Sequence, residues 1–454
     1  MNKIIFHIDF NSYFASVEQQ ANPRLRGKPI GVTGGDRMDR TVLGAASIEA
    51  KKFGVKTGMQ IWQAKKLCPD IILVRGDSDK YLECTKRFLN ILKGYSPTLE
   101  VFSIDEVFLE LPPPVIAKPR NGCGNLDSFK KDSHVASLLG MTKEIAQDIK
   151  SRIKVEIGEY ITCSIGISYN KLMAKLARSL QKNEAGYRTD GLVVIPDQET
   201  AIKVLDQAEL DEICGIGSRI KGRLNNMGIF NFSQLRKVPL EALLASFKSY
   251  GQVLYNMARG VDNSEVVPFY EKEEVKSVGH RHTINHDTDD PTEIRQILLK
   301  LTEMIARRLR SKKLIGKTVS CWYREAFRMH TPGVQSQFHS WSGNSEFSDD
   351  GMQVTIFPTQ DGLEIFKTAW GIFGKIWNGK KIRMIGASIS NLKPINTQGL
   401  SLLPEVTKQE TVLRAIDTIN DKYGEFTLQR GILLGSQHMQ RKHNPYLADR
   451  RFKL

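Results

Sequence analysis

Three acidic residues stand beside apolar segments in the first quarter of the chain. Asp9 directly follows the apolar stretch Lys3 to Ile8, and the pair Asp105-Glu106 interrupts the apolar residues between Leu99 and Leu109. Apolar framing indicates partial burial, and a buried charge needs a partner that replaces its lost hydration. Mg²⁺ prefers carboxylate and water oxygens, and two such ions about 3.5–4 Å apart can catalyse phosphoryl transfer. The three carboxylates are therefore candidates for a metal site.

The alternative interpretation is structural. Asp9 could cap a helix, and Asp105-Glu106 could form a solvated turn, because acidic turns are common. The elements around the acids decide whether they meet. We predict a buried strand over Lys3 to Ile8 and two strands joined by a tight turn between Leu99 and Leu109. If these strands are neighbours in one sheet, the three carboxylates converge at its edge.

The rest of the chain mixes helices and strands, which predicts an α+β or α/β architecture. Ser12 is predicted to cap the helix that follows Asp9. Apolar periodicity predicts further helices over Ile48–Phe53, Tyr81–Leu92, Thr142–Val155, Asn170–Ser179, Glu293–Leu309, Leu363–Ile376 and Glu410–Tyr423. Strands are predicted over Thr41–Ala46, Ile161–Ile167, Lys317–Tyr323, Met352–Ile356 and Met384–Ile389.

Three segments differ in composition from these elements. Pro112 to His134 is rich in Pro, Gly, Asn and Lys, which predicts an exposed insertion loop. From about Ala208 to Asp262 the chain has short helices separated by glycines. Asn263 to Lys276 is charged and lacks apolar periodicity, which is typical of a linker. The final residues from Arg441 to Lys453 are basic.

Length and charge limit the classes of protein. The 454 residues predict two to four folding units, at about 100–200 residues per domain. A net charge of +15 favours a polyanionic partner such as nucleic acid or an anionic membrane, although a basic protein can merely be soluble. No apolar run is long enough to span a membrane, at about 18 residues, and the N-terminus does not resemble a signal peptide. Six scattered cysteines without a C-x-x-C pair predict reduced thiols and a cytoplasmic location.

Several motifs in order along the chain resemble those of the Y-family, or translesion, DNA polymerases. The resemblance extends to about Leu392 and is specific because the motifs occur together. The matching segments are Ile8–Glu18, Gly27–Pro29, Glu49–Val55, Ser103–Phe108 and Gly166–Ala177.

The resemblance implies an α+β multidomain fold shaped like a right hand. The implied domains are a palm with a mixed sheet at 1–12 and 78–178, fingers at 13–77, a helical thumb with a helix-hairpin-helix at 179–262, a linker at 263–276, an α+β little finger at 277–395 and a tail at 396–454. The implied activity is error-prone, DNA-templated translesion synthesis that adds dNTPs to a primer without proofreading. Two Mg²⁺ ions, replaceable by Mn²⁺, would be the cofactors.

The resemblance also implies roles for residues of the palm and fingers. Asp9 and Asp105 would bind both metal ions, Glu106 the catalytic ion, and the Phe10 carbonyl the ion on the nucleotide side. Phe14 would be the steric gate that excludes a ribose 2′-hydroxyl, although alone it would be interpreted as a core aromatic. The remaining residues implied to contact the dNTP are Ser12, Tyr13, Lys51 and Lys171, of which Lys171 alone would be interpreted as a solvated side chain.

The finger segment departs from the family pattern. DNA polymerase IV-like members carry Thr, Tyr and Arg where this chain has Ala45, Ile48 and Lys51, so only the positive charge of Lys51 remains. The departure resembles the UmuC branch, which implies a UmuD-like accessory subunit as a further partner. It puts Ala45 and Ile48 in doubt as triphosphate ligands.

Other segments are implied to bind DNA and the replication machinery. Gly215 and Gly217 resemble a helix-hairpin-helix that contacts phosphates through its backbone, although a plain helical turn is the default for G-x-G. A tail peptide resembles those that dock on the bacterial sliding clamp, with Gln398, Leu400, Leu402 and Leu403 as its anchors. The basic residues expected to contact primer-template DNA, which alone could be a solvated face, are Arg281, Arg307, Arg308, Lys312 and Lys313.

Two other functions remain open on the sequence. A non-catalytic scaffold could bind DNA and the clamp, but such relatives lose metal carboxylates, which this chain retains. A nucleotidyl cyclase could share a similar palm, but the helix-hairpin-helix and the basic C-terminal region argue against it.

Overall fold

The computed structural model describes residues 3–34, 41–111, 131–180, 191–271, 274–326, 349–395, 404–424 and 426–434. The chain forms two compact units, and among the described residues the first contains those up to residue 271 and the second those from residue 274 onward. Each unit has its own apolar core.

A five-stranded sheet forms the centre of the first unit. Its strand order is β5-β6-β1-β7-β8, and β1 pairs antiparallel with both β6 and β7. The strands are β1 (Ile4–Phe10), β5 (Leu99–Val101), β6 (Glu106–Leu111), β7 (Cys163–Ser168) and β8 (Leu192–Ile195). Every residue of β1 is buried, so both faces of this central strand are covered.

Alternate residues of β1 point to opposite faces of this sheet. Ile4, Phe6, Ile8 and Phe10 belong to the large core that also includes residues of α4 (Ser78–Lys93) and α5 (Lys131–Glu156). The opposite face, which carries Asp9, lies under α6 (Lys171–Leu180).

A smaller sheet lies between β1 and α4 in the sequence. It has the order β3-β2-β4, with strands β2 (Ile30–Thr33), β3 (Leu43–Ala46) and β4 (Ile72–Arg75). The helices of this segment are α1 (Tyr13–Ala21), α2 (Ile48–Lys52) and α3 (Ile61–Leu67).

The first unit ends in a helical segment with its own core. Its helices are α7 (Gln198–Gln207), α8 (Ser218–Asn226), α9 (Phe232–Lys237), α10 (Leu240–Phe247) and α11 (Tyr250–Met257). The glycine hairpin lies just before α8.

The second unit has a four-stranded sheet with the order β11-β10-β12-β9, whose core includes residues of two long helices. Its elements are β9 (Ser277–Thr288), α12 (Pro291–Ser311), β10 (Leu314–Glu325), β11 (Asp349–Thr359), α13 (Gly362–Ile376), β12 (Ile382–Ser390), the short β13 (Lys393–Pro394) and α14 (Pro404–Tyr423). No helix among the described residues is long and apolar enough to cross a membrane.

All the predicted helices and strands exist, with different bounds. The predicted insertion loop is too long at its C-terminal end, because α5 begins at Lys131 and so includes His134. Residues 112–130 lie outside the described part of the chain. The α+β class is confirmed, but β2, β4, β8, β9 and β13 were not predicted, because short or irregular apolar runs give weak periodicity.

Ser12 was wrongly predicted to cap α1 with its side chain. The residue occupies the N-cap position but adopts a left-handed backbone with φ of 48°, and its side chain makes no capping hydrogen bond. Its hydroxyl instead accepts a hydrogen bond from Lys51 Nζ at 2.7 Å.

Candidate active site

The register of the central sheet brings the three acidic residues together. Asp9 on β1 lies directly opposite Glu106 on β6. The Phe10 amide donates to the Asp105 carbonyl oxygen at 3.0 Å, which joins the end of β1 to the turn before β6. The predicted convergence of the three acids at one edge of a sheet is therefore present in the backbone.

Side chains from α4 and from the turn itself fix Asp105. Thr85 Oγ1 donates to the carbonyl of Ile104 at 2.9 Å, which anchors the turn to α4. Ser103 Oγ donates to Asp105 Oδ1 at 2.5 Å. Burial raises the pKa of Asp105, and the Ser103 hydrogen bond acts in the opposite direction.

Two cationic side chains of α6 neutralise the other two acids. Lys175 Nζ lies 2.6 Å from Glu106 Oε2, and Arg178 Nη2 pairs with Asp9 Oδ1. The two cations are three residues apart, so they project from the same face of the helix. All four side chains are mostly buried, with exposed fractions between 7% and 23%.

Burial and these charges move the pKa values in opposite directions. Burial raises the pKa of Asp9 to about 8, even though Arg178 favours the ionised carboxylate. Burial would also raise the pKa of Glu106, but interactions with His7 and the charge of Lys175 hold it below its usual range. Of this adjacent pair, Asp9 therefore has the higher pKa and Glu106 the lower one.

His7 lies fully buried beside the acids. Its Nε2 is 3.7 Å from Glu106 Oε2, which is too long for a hydrogen bond, and neither ring nitrogen has a hydrogen-bond partner among the described residues. Burial lowers its pKa, so the neutral imidazole is favoured. The contact between His7 and Glu106 is therefore a close approach rather than a hydrogen bond.

The donor set suits a hard divalent cation, but the side chains are not arranged around one. The candidate ligands are buried carboxylate oxygens and the Phe10 carbonyl, which Mg²⁺ prefers. Yet no group of three metal-ligating side chains converges among the residues that the structure describes. In this structure the carboxylates of Asp9 and Glu106 are paired with Arg178 and Lys175 instead.

Phe14 is supported by a chain of contacts behind its ring. The ring stacks on Tyr81 with centroids 4.5 Å apart. The Tyr81 hydroxyl donates to Glu18 Oε1 at 2.8 Å, and Lys80 Nζ bonds the other oxygen of Glu18 at 2.8 Å. This network limits the movement of the Phe14 ring.

The side chain of Tyr13 is buried against α4. Its hydroxyl donates to the Tyr81 carbonyl at 2.8 Å and contacts Thr85 Oγ1 at 2.7 Å, and the residue is only 3% exposed. Any contact of Tyr13 with a nucleotide would have to use its backbone.

Lys171 lies in a different set of contacts from the one implied by the family. Its ammonium bonds both oxygens of Glu100, at 2.9 and 2.7 Å, and the Glu265 carbonyl at 3.2 Å. Glu100 also accepts from the Val267 amide at 2.8 Å. Lys171 therefore fixes the start of the predicted linker to the sheet.

In the finger segment, the two doubtful positions differ in exposure. Ala45 is buried on β3, and Ile48 is 48% exposed at the start of α2. Neither side chain has a hydrogen-bonding group that could bind a phosphate.

The backbone around the two glycines of the predicted hairpin is specific. Gly215 has φ of 109°, and a Cβ there would lie 2.8 Å from Tyr250 Oη, so only glycine fits without strain. Gly217 is the N-cap of α8.

Three arginines at the end of α12 form ion pairs or hydrogen bonds with other residues of the second unit. Arg307 pairs with Asp421 on α14, and Arg310 binds both oxygens of Asp417 at 2.6 and 2.8 Å. Arg308 donates to the Gly279 carbonyl at 3.1 Å. Part of the predicted tail therefore contacts α12, through Asp417 and Asp421 of α14 and through Arg430, which pairs with Glu303. The clamp-type anchors Gln398, Leu400, Leu402 and Leu403 lie outside the described residues.

Sequence reasoning missed Lys175, Arg178, His7 and Glu18. The i, i+3 spacing of Lys175 and Arg178 on a predicted helix was visible. The partners were not, because only the tertiary structure brings α6 over β1.

Family models match most of the chain. The impB/mucB/samB family matches residues 8–179 and its C-terminal domain residues 275–402. A model described as the DNA polymerase-iota thumb domain matches residues 211–262.

Individual relatives are similar over nearly their whole length. A DNA polymerase IV of Pelotomaculum thermopropionicum is 32% identical, with 94% of each chain covered. One of Moorella thermoacetica is 33% identical, covering 94% of this chain and 95% of the relative. A solved Y-family DNA polymerase chimera has a TM-score of 0.62 at 24% identity and covers 86% of this chain and 98% of that one, which shows the shared fold.

Proposed function

The chain belongs to the impB/mucB/samB family of Y-family DNA polymerases, and from this we infer that it is a DNA-directed DNA polymerase of translesion synthesis. Its substrates are primer-template DNA and dNTPs. The relatives named DNA polymerase IV support this assignment although the finger segment departs from their usual pattern at Ala45 and Ile48.

We propose that Asp9, Asp105, Glu106 and the Phe10 carbonyl hold two Mg²⁺ ions. The single observation that carries this proposal is the register that sets Asp9 opposite Glu106 beside the anchored Asp105 turn. When bound, such ions activate the attacking oxygen and stabilise charge on the transferred phosphoryl group. In the structure Arg178 pairs with Asp9 and Lys175 pairs with Glu106. Both ion pairs must therefore break before these carboxylates can bind metal.

The residues next to the acids are proposed to select and hold the nucleotide. The Phe14 ring would exclude a ribose 2′-hydroxyl by its bulk, with Tyr81 behind it. Lys51 supplies a positive charge that already reaches Ser12, close to the start of α1. Its charge and the free amides at the start of this helix would attract a triphosphate.

Primer extension by the isolated chain tests the polymerase function. The wild-type chain with Mg²⁺ should extend a primer past a damaged template base. Asp105→Asn and Glu106→Gln should each lose at least about 100-fold in rate, a free-energy cost of about 2.7 kcal/mol. Glu110→Gln, on the same strand as Glu106, is the matched control and should retain activity.

A non-catalytic scaffold is the alternative that one observation favours, namely the ion-paired state of Asp9 and Glu106. Absence of extension by wild-type protein, together with retained DNA binding, would select the scaffold. Adding the bacterial sliding clamp and a UmuD-like subunit to the assay separates a silent polymerase from one that requires these proposed partners.

A further inference from the structure

Arg178 brings a permanent positive charge to the carboxylate that the polymerase reaction needs free. Its guanidinium pairs with Asp9 Oδ1, and the two side chains are only 13% and 7% exposed. An arginine does not lose its proton in a protein, so this charge cannot be removed by deprotonation. The carboxylate must either keep this partner or exchange it for another cation.

The position of Arg178 is built into the fold. Gly166 on β7 lies opposite His7 on β1, beneath α6. A Cβ at Gly166 would overlap the Ala174 carbonyl oxygen and lie 2.6 Å from the Arg178 amide nitrogen. A glycine here therefore allows α6 to approach the sheet closely enough for the Arg178 side chain to reach Asp9.

Helix α6 also supplies a cationic partner for Glu106. Lys175 pairs with Glu106 one turn before Arg178, and its ammonium also lies 4.2 Å from the centre of the Phe102 ring. Two cations thus face two adjacent carboxylates, which accounts for the absence of a converging metal-ligand group among the described residues.

We propose that Arg178 is an internal counter-ion of Asp9 that holds the metal site closed, and that a divalent ion binds only when the guanidinium leaves the carboxylate. This inference rests on the proposed function, because it assumes that Asp9 is a metal ligand. Arg178 is a positioning residue: it acts through Asp9 and sets the concentration of metal at which the site fills.

The expected direction follows from charge. A divalent cation at Asp9 is repelled by a guanidinium nearby, and it must also replace the ion pair that it breaks. An uncharged residue of similar length removes both obstacles.

Mn²⁺ binding to the full chain, without DNA or nucleotide, tests the proposal. Electron paramagnetic resonance of free Mn²⁺ gives the affinity directly. Arg178→Met should bind Mn²⁺ about tenfold more tightly than wild type, which corresponds to about 1.4 kcal/mol. Arg178→Lys, which restores a charge, should return towards the wild-type affinity, and Asp9→Asn in the Arg178→Met background should remove the gain.

Arg87→Met is the matched control. Arg87 pairs with Glu83 on α4, and its side chain is 61% exposed, so its replacement removes the same charge from the chain without removing a partner of Asp9. An Mn²⁺ affinity of Arg178→Met equal to or weaker than that of wild type would overturn the proposal. If circular dichroism shows that Arg178→Met is unfolded, Arg178→Gln provides the same comparison with a smaller loss of polarity.

Primer extension separates this inference from the proposed function. If wild type extends primers but Arg178→Met binds Mn²⁺ with the wild-type affinity, only the counter-ion role is rejected. No extension by wild type under any condition would reject the polymerase function, whatever the Mn²⁺ affinities are.

Discussion

The ring of Phe14 lies against the ring of Tyr81, with centroids 4.5 Å apart and planes inclined by 23°. Because the Tyr81 hydroxyl is bonded to the buried Glu18, the supporting ring is held at both ends. The proposed sugar gate is therefore a pair of stacked rings, and its rigidity depends on a residue 67 positions away in the sequence.

Replacing either ring should weaken selection against ribonucleotides. We expect Phe14→Ala to lower the preference for dNTPs at least about tenfold, or about 1.4 kcal/mol in transition-state free energy. Tyr81→Leu should give a smaller loss because the gate remains but its support does not. Steady-state incorporation of matched dNTP and rNTP measures both. Tyr81→Phe keeps the stacked ring but loses the bond to Glu18, so its sugar selection should lie between those of Tyr81→Leu and wild type. Unchanged sugar selection in Phe14→Ala would remove Phe14 from this role.

Gly166→Ala should destabilise the first unit. The added methyl overlaps the Ala174 carbonyl oxygen, so α6 must move away from β7, at a cost of about 2–3 kcal/mol. Gly222→Ala is the opposite case, since no atom lies within 4 Å of its added Cβ on α8, and it should stabilise by about 0.5–1 kcal/mol. Thermal unfolding of both variants measures the contrast. Equal shifts in the two would show that α6 is not tightly seated on the sheet.

Acid should destabilise the second unit through His280. Burial, followed by the nearby Arg308 charge, lowers the pKa of His280 to about 4. The folded unit therefore binds fewer protons than the unfolded chain between pH 6.5 and about 4, and stability falls as pH falls through this window. We expect wild type to lose about 1–2 kcal/mol more than His280→Gln between pH 7 and pH 5.

The measurement for His280 is denaturant unfolding followed at several pH values. His286→Gln, which replaces a 51% exposed imidazole on the same strand, serves as the comparison variant. A His280→Gln variant whose stability falls with acid as steeply as that of wild type would contradict the assignment.

Asp417→Ala should release α14 from α12. The carboxylate receives two hydrogen bonds from Arg310, and these side chains are 20% and 10% exposed, so its loss leaves a mostly buried guanidinium without its ionic partner. We expect a local cost of about 1–3 kcal/mol, seen as faster hydrogen exchange of amides between Thr411 and Tyr423. Asp421→Ala removes a carboxylate that is 68% exposed and should have an effect below about 1 kcal/mol.

Loss of the ion pairs of Arg307 and Arg310 should also change the affinity for DNA. If the basic end of α12 contacts phosphates, Asp417→Ala should tighten non-specific DNA binding and steepen its salt dependence. Unchanged DNA affinity together with a released α14 would leave Arg307 and Arg310 with a structural role alone.

Local sequence patterns were enough to predict the strands that carry the three acids and to identify the family. Alternating and continuous apolar runs around Asp9 and Asp105-Glu106 predicted strands that end at the acids, because hydrophobic spacing is local and survives in a single sequence. The ordered motifs from Ile8 to Ala177 resembled the Y-family, and the family models and relatives confirmed that family. The roles of the site residues remain predictions.

The cationic partners of Asp9 and Glu106 could be identified only from the tertiary structure. Lys175 and Arg178 lie about 70 and 169 residues from Glu106 and Asp9 along the chain, and nothing in local periodicity joins them. Three further contacts also depend on long-range packing. They are the close approach of α6 to β7 at Gly166, the ion pair of Lys171 with Glu100, and the ion pair of Arg310 on α12 with Asp417 on α14. An ionic side chain takes the partner that the fold places within reach, and that distance is set by the packing of whole elements rather than by neighbouring residues.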